Sequence, residues 1–420
     1  MPSTNGSTRR LGADEASARL GVKRETLYAY VSRGMLVSER TPDGRSSTFD
    51  PVEVERLAGR GRRSKGAGEV DVVIGTQLTR IADDQLWYRG RSAVEAAETM
   101  AFEQVAEWLW TGEDGDRSPW VADPVALAVA TAVVSALPEN ASVTDRYLAI
   151  TAAARSTDHF RHDRRPDAVI ATGRALVATL LDALPVRFRG PVPVLRLPGQ
   201  PDRRDSIAGR LWTRVARRQP PNGMIRAVNA CLVLAADHEL AISTLAARVA
   251  ASAWADPYAV VASGLGAFAG PLHGTASTPA HALLRDAEAA GDPAPVLGEL
   301  VRSGGLLPGF GHTVYKGADP RAVALLRILR SAEIPPEKLA VVDAVLAGAS
   351  HRVPVQPNVD FALASLCFCA DLPVGSAEAF FGTARVVGWL AHALEEYGEK
   401  PLRFRPRAHY LGSKSARRRL

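Results

Sequence analysis

Histidine is scarce in this chain, nine residues in 420, and two of the nine sit where an imidazole would be left accessible. Gly270-Pro271-Leu272-His273-Gly274 sets one between helix breakers, and Gly309-Phe310-Gly311-His312 sets another after two glycines. Glycine lets backbone come close to a ligand and leaves a neighbouring ring uncovered. Downstream, Pro357-Asn358-Val359-Asp360 adds a carboxylate. One loop histidine alone is more often structural, so the weight rests on the three groups together. Two imidazoles and a carboxylate form an acid–base set. The carboxylate can remove a proton, one imidazole can donate a hydrogen bond to the oxyanion that develops, and the other can polarise an electrophile.

The elements that must position these groups read as helices. From Val70 onward, apolar residues recur at three- and four-residue spacing over Ala101–Trp110, Ala168–Leu184, Met224–Ala236, Ser243–Ala253, Arg321–Ser331, Glu337–Ala349 and Ala377–Tyr397. Pro and Gly punctuate between them, and no β-branched alternation long enough for a large sheet is present. The three cysteines, Cys231, Cys367 and Cys369, fall in apolar helical stretches and lack the two-residue spacer of a metal or redox pair. They read as buried small hydrophobes in a reducing compartment. No apolar run opens the chain, and the apolar stretch Val125–Leu137 is far short of the ~20 residues a membrane span needs. The expectation is a soluble cytoplasmic protein with no membrane contact.

Charge divides the chain unevenly. Residues 1–66 carry 13 Lys and Arg against 8 Asp and Glu, which is +5 of the formal +6. Within residues 1–58 we expect a helix over Asp14–Leu20 ended by Gly21, a second over Lys23–Arg33 ended by Gly34, a hairpin of Met35–Arg40 and Ser46–Phe49 about the turn Pro42-Asp43-Gly44, and a third helix over Val52–Leu57. Residues 1–10 read as a disordered polar tail. Helix, turn, helix and wing form a DNA-docking arrangement. The stretches "ASARLGVKRETLYAYVSRGML" and "FDPVEVERL" resemble the DNA-binding domain of MerR-type and excisionase-type regulators. That resemblance puts Lys23, Arg24, Thr26, Tyr28 and Tyr30 on or near the helix that enters the major groove, and Arg40 and Arg45 at phosphates. Residues 59–69, basic and glycine-rich with almost nothing apolar, read as a flexible linker.

The remainder resembles the citrate synthases through an ordered series of motifs. These are Leu86-Trp87-Tyr88-Arg89-Gly90, "FEQVAEWLWTGE" at 102–113, and Asp237-His238-Glu239 ahead of Ser243-Thr244. "GPLHGTA" with His273, "PGFGHTVYKGADPRA" with His312, Lys316 and Arg321, and "PNVDF" with Asp360 follow. "ARVVGWLAHALE" with Arg385 and "RPRAHYLG" with Arg405 and Arg407 complete the series. The resemblance implies an all-α fold of two helical domains, a large one from 70–273 and 371–420 and a smaller one from 274–370 that closes over substrate, preceded by the winged helix-turn-helix. It implies condensation of acetyl-CoA with oxaloacetate to citrate and free CoA, with no cofactor and no metal. Asp360 would be the base, His273 the donor to the enolate oxygen, and His312 the polariser of the oxaloacetate carbonyl. Arg321, Arg385 and Arg405, with His238, would hold carboxylates, for which the planar guanidinium fork is suited. Lys316 would meet the CoA phosphates. Arg405 would reach the neighbouring subunit's site, making a homodimer.

The sequence departs from the family pattern at Ala241-Ile242, at Thr275-Ala276-Ser277, at Thr313 and over residues 115–205, where Asp158–Asp167 is unusual. Ile242 would add bulk about one turn from His238. Propionyl-CoA, giving 2-methylcitrate, is therefore an alternative substrate, since one methylene changes discrimination by only about 1–3 kcal/mol. A metabolite-sensing DNA-binding regulator with a synthase-like body is the alternative of another class.

Overall fold

The computed structural model describes residues 10–20, 22–32, 36–41, 46–51, 53–54, 73–115, 118–303, 306–350 and 355–406. The chain divides into two units, Met1–Gly75 and Thr76–Leu420.

In the first unit, α1 (Ala13–Leu20) and α2 (Arg24–Ser32) pack with a three-stranded antiparallel sheet in the order β1 (Leu11–Gly12), β3 (Ser47–Phe49), β2 (Ser38–Arg40). The Lys23 carbonyl accepts from the Thr26 and Leu27 N–H groups, which starts α2. Leu11, Ala16, Leu27, Leu36, Phe49 and Val54 form the core of this unit. The helix pair and wing match the expected arrangement, and β1 is an added strand: Leu11 pairs with Phe49 at the wing edge. Pro51, Glu53 and Val54 are helical, and the rest of the expected third helix lies outside the described residues. So do the tail 1–9, Gly21, Gly34, the turn at Pro42–Gly44, Arg45, the linker 59–69 and Arg407.

The second unit opens with a sheet that the helical reading missed. β4 (Thr79–Ala82), β5 (Gln85–Tyr88) and β6 (Arg91–Ser92) pair antiparallel through a two-residue turn at Asp83-Asp84. Helices then follow to the C-terminus: α3 (Ala93–Thr99), α4 (Phe102–Thr111), α5 (Pro124–Ala136), α6 (Val143–Thr157), α7 (Pro166–Asp182), α8 (Ile207–Val215), α9 (Met224–Ala235), α10 (Ile242–Ser252), α11 (Pro257–Phe268), α12 (Ser277–Ala290), α13 (Pro293–Arg302), α14 (Pro320–Arg330), α15 (Pro336–Ser350), α16 (Val359–Cys369) and α17 (Ser376–Tyr397). Their starts follow from local chemistry. Asp123, Asp256, Asp292 and Asp319 each cap a helix whose first residue is proline, and Asn358 caps α16 through the Asp360 and Phe361 N–H groups.

α17 is apolar on almost every face and is buried through most of its length, packed against α4, α7, α9, α10 and α11. Contact with α11 is close at Gly264, where a Cβ would come within 2.5 Å of the Trp389 ring. α9 is likewise buried all round. These two helices form the central support on which the candidate site is built. Cys231, Cys367 and Cys369 are buried and unpaired, and burial pushes the Cys231 and Cys369 thiols up to about 12. Among the described residues no helix is long and apolar enough to cross a membrane.

Candidate active site

His238 follows α9 in the segment Asp237-His238-Glu239. It is buried, and its Nε2 lies 3.0 Å from the Tyr315 hydroxyl. Its ring stands edge-on to that of His312 at 5.4 Å. Burial, then the charges of Arg321 and Arg385, hold its pKa well below the usual histidine range. The preceding Asp237 is buried, accepts from the Thr79 hydroxyl, and lies 3.2 Å from His392 Nε2. The Tyr88 hydroxyl donates to the Asp237 carbonyl at 3.1 Å, so β4 and β5 hold this segment.

His273 sits in the turn between α11 and α12. Its N–H donates to Gly270, and Gly274 N–H donates to Phe268. A Cβ at Gly274 would lie 2.4 Å from the Phe268 carbonyl oxygen, so glycine is required there by the chain itself. His273 Nε2 is 2.7 Å from Ser243 Oγ, and the same oxygen accepts from Trp389 Nε1 at 3.2 Å. With one acceptor site of Ser243 filled by tryptophan, its hydroxyl can donate to Nε2, and in that tautomer the imidazole proton is on Nδ1. Phe268 and Phe381 stand edge-on to the ring at 5.6 and 5.7 Å. Burial, aided by Arg385, lowers the His273 pKa to about 4.

His312 is fixed differently. Its loop is pinned to the turn that precedes α16: Gly311 N–H donates to the Gln356 carbonyl, Asn358 N–H to the Gly309 carbonyl, and Asn358 Nδ2 to the Gly311 carbonyl, all at 2.8–2.9 Å. Gly309 has φ +79°, and a Cβ there would meet Phe361 at 2.8 Å. The close approach made by this glycine is to Phe361 of the chain itself. His312 Nδ1 accepts from the Val314 N–H at 2.9 Å, so the proton of the neutral ring is on Nε2. Arg321 Nη2 lies 3.2 Å from that same Nε2. With the proton on Nε2, the ring N–H and the Arg321 Nη2 group are neighbouring donors, a pair that a carbonyl or carboxylate oxygen could engage. Burial and Arg321 both depress the His312 pKa, keeping the ring neutral.

Arg321 is buried in the first turn of α14. Its Nε and Nη2 grip Asp319 at 3.0 and 2.8 Å, and Asp319 Oδ2 also accepts from the Val359 N–H at the start of α16. Asp360 is next in the chain. Its Oδ1 is sealed from solvent without a hydrogen-bond partner. Burial raises its pKa to about 6, with Arg321 opposing the shift and Asp319 adding to it. Arg385, buried on α17, donates from Nε to the Ala235 carbonyl at 3.0 Å and lies over the Phe381 ring at 4.9 Å, while its Nη1 is buried and unpartnered. Its charge acts on His238 and His273, and also on Asp360.

The structure thus brings His238, His273, His312, Arg321, Asp360 and Arg385 into one electrostatically connected group. Arg405 is exposed in the C-terminal stretch and makes no described contact with the site of its own chain. Its neighbour Arg403 is held by Glu396 at 2.7 Å. Lys316 is exposed on the His312 loop. Ile242 is 62% exposed at the start of α10, so its bulk faces away from the packed interior. Tyr315, Asp319, Phe381, Trp389 and His392 were not singled out from the sequence. Of these, only Asp319-Pro320 carried a local signal, that of a helix start. Among the described residues no cluster of three or more His, Cys, Asp or Glu could hold a metal. In the first unit Lys23, Arg24, Tyr28 and Arg40 are exposed, Thr26 and Tyr30 are half-buried, and Arg24 pairs with Asp14 at 3.2 Å.

The citrate synthase C-terminal domain family model matches residues 69–407, and the MerR helix-turn-helix regulatory family model matches residues 13–59. The chain belongs to the citrate synthase family and carries a MerR-type helix-turn-helix at its N-terminus. It is 32% identical to citrate synthase of Synechocystis over 225 residues, covering 51% of this chain and 55% of that protein, so the match spans just over half of that relative's length. It is 28% identical to 2-methylcitrate synthase 2 of Corynebacterium glutamicum over 356 residues, 78% of this chain and 89% of that one. Citrate synthase of Thermoplasma acidophilum, solved as a ternary complex with carboxymethyl coenzyme A and oxaloacetate, superposes with a TM-score of 0.65 at 25% identity, covering 82% of this chain and 94% of that one.

Proposed function

We propose that this chain condenses a short acyl-CoA with oxaloacetate, releasing free CoA and a citrate-type tricarboxylate. The observation that carries the reading is the pair of neighbouring donors, His312 Nε2 and Arg321 Nη2, 3.2 Å apart, with the buried Asp360 under the charge of the same Arg321. Asp360 takes a proton from the α-carbon of the thioester. The enolate oxygen accepts from His273 Nδ1–H. The enolate carbon then attacks the keto carbon of oxaloacetate, whose oxygen takes the position between His312 and Arg321 and becomes the alkoxide. Water protonates this alkoxide and cleaves the resulting thioester to a carboxylate and free CoA, and Asp360 releases its proton to solvent. His238, Arg321 and Arg385 receive the substrate carboxylates, and the exposed Lys316 meets the CoA phosphates. No further cofactor enters. Residues 274–370 move as a closing domain, and closure strengthens each of these interactions by expelling water.

The site is completed in a homodimer by the partner's Arg405. An apolar stripe along α5, Val125, Val129 and Val133, is exposed and suits a face that pairs with a second copy. Steady-state CoA release across acetyl-, propionyl- and butyryl-CoA with several 2-keto acids tests the reading and separates acetyl from propionyl preference. Release that does not depend on any keto acid would sink it.

The acid limb of the rate profile has a definite sign. Asp360 acts as a base only when ionised, and burial raises its pKa to about 6, whereas His273 is neutral above about 4. The acyl-CoA kcat/KM is therefore expected to fall about tenfold per unit as pH drops below about 6. A limb near pH 4 would point to another base.

A second reading concerns the N-terminal unit alone. The MerR match favours sequence-specific DNA binding through Lys23, Arg24, Thr26 and Tyr28, with Arg40 and Arg45 at phosphates. Salt-sensitive retention of a specific fragment in gel shifts, altered by oxaloacetate or acyl-CoA, would support a regulator that senses these metabolites.

A further inference from the structure

We propose that Asp84, at the tip of the β4–β5 hairpin, is a positioning residue that latches the His312 loop in register with His238. The Asp84 carboxylate accepts from two consecutive backbone N–H groups of that loop, Lys316 at 2.9 Å and Gly317 at 3.0 Å. A Cβ at Gly317 would lie 3.1 Å from Asp84 Oδ2, so the loop seats tightly on the carboxylate. The other side of the same hairpin is rooted in the His238 segment. The Thr79 hydroxyl donates to Asp237, and the Ile81 N–H donates to Glu239 Oε1 at 2.8 Å. One hairpin therefore grips the residues on both sides of His238 and, from its tip, the stretch that follows His312 and Tyr315. Between those grips, Tyr315 meets His238 and the two imidazoles stand 5.4 Å apart. The separation of the two rings is thus set by a short ruler whose far end is a single carboxylate.

The backbone at the tip does not itself call for aspartate. Asp83 and Asp84 have φ of 52° and 54°, values that glycine adopts without cost in a two-residue hairpin turn. What aspartate adds is a charged acceptor for two amides, a stronger bond than a neutral acceptor makes.

This role rests on His312 and His238 acting on the keto acid as proposed above, so the test has one arm independent of turnover. In the full-length protein, Asp84→Gly keeps a favourable turn and removes the latch, and Asp84→Asn retains one acceptor oxygen. For Asp84→Gly we expect an unchanged melting temperature and faster amide exchange in the peptide spanning 312–317 without ligand. We also expect an oxaloacetate KM raised about tenfold, the effect of losing one or two charge-assisted hydrogen bonds, with kcat changed less. Asp84→Asn should lie between the two proteins in both exchange and KM. Unchanged exchange would show that no latch exists. Faster exchange with an unchanged KM would reduce the contact to loop packing, and either result overturns the proposal. A wild-type protein that neither binds nor turns over oxaloacetate would instead count against the functional reading, and the exchange arm would still decide whether the latch is present.

Discussion

Asp360→Asn is expected to lower kcat by about 10²–10⁴-fold, the range by which a positioned base contributes, while oxaloacetate binding stays within about twofold of the wild type. The expectation follows from where the carboxylate sits. Asp360 is presented by the first turn of α16, and its backbone is fixed by the Asn358 cap. Its Oδ1 makes no hydrogen bond within the protein, so amide substitution breaks no structural contact there. The variant should fold normally, because burial already disfavours the ionised form and an amide carries no such penalty. Calorimetric titration with oxaloacetate alongside CoA release would separate the two effects. A variant with wild-type turnover would remove Asp360 from the chemistry.

Arg385→Met is the second large effect, and it should appear in KM. Arg385 holds a charge in the interior with one donor, Nη1, sealed and unpartnered, and burial lowers its pKa. Asp237 and Asp360 partly offset that charge, and a buried charge is costly to a fold, so an apolar side chain of similar reach should leave the melting temperature near that of the wild type. In the proposed reaction the same group meets a substrate carboxylate. Removing one half of a buried charge pair costs about 2–5 kcal/mol, so the oxaloacetate KM should rise about 30-fold or more. Arg321 is a different case: it already neutralises Asp319, and Asp319 ties α14 to α16, so its loss would disturb structure and binding together. A melting temperature well below wild type, with an unchanged KM, would make Arg385 a structural residue only.

Much of the helical framework was legible because its signals are local. The helices over Met224–Ala235 and Ser376–Tyr397 were found within one or two residues from apolar spacing and flanking breakers. The hairpin at Thr79–Tyr88 was not, since its strands are four residues long and "TRIA" and "QLWY" carry little alternation. The two loop histidines were visible as residues in unusual turns, yet the reason for the glycines beside them was not. Gly274 and Gly309 make room for Phe268 and Phe361, a matter of tertiary packing that no local pattern states. The groups that meet these rings, Ser243 with Trp389 for His273 and Tyr315 for His238, come from positions 30 to 146 apart. Ile242 shows the reverse: one turn from His238 along the chain, it faces outward because the first residue of α10 lies on that helix's exposed side.

The proposed chemistry makes and breaks particular bonds, so the isotopic fate of the acyl group tests it most directly. With trideuterated acetyl-CoA and oxaloacetate in ordinary water, proton abstraction at the methyl carbon followed by carbon–carbon bond formation must yield citrate retaining two deuterons. Mass spectrometry of the product formed by the full-length protein should show that species in step with CoA release. Acetate still carrying three deuterons, formed at the same rate as free CoA, would instead show thioester hydrolysis and would contradict condensation at this site.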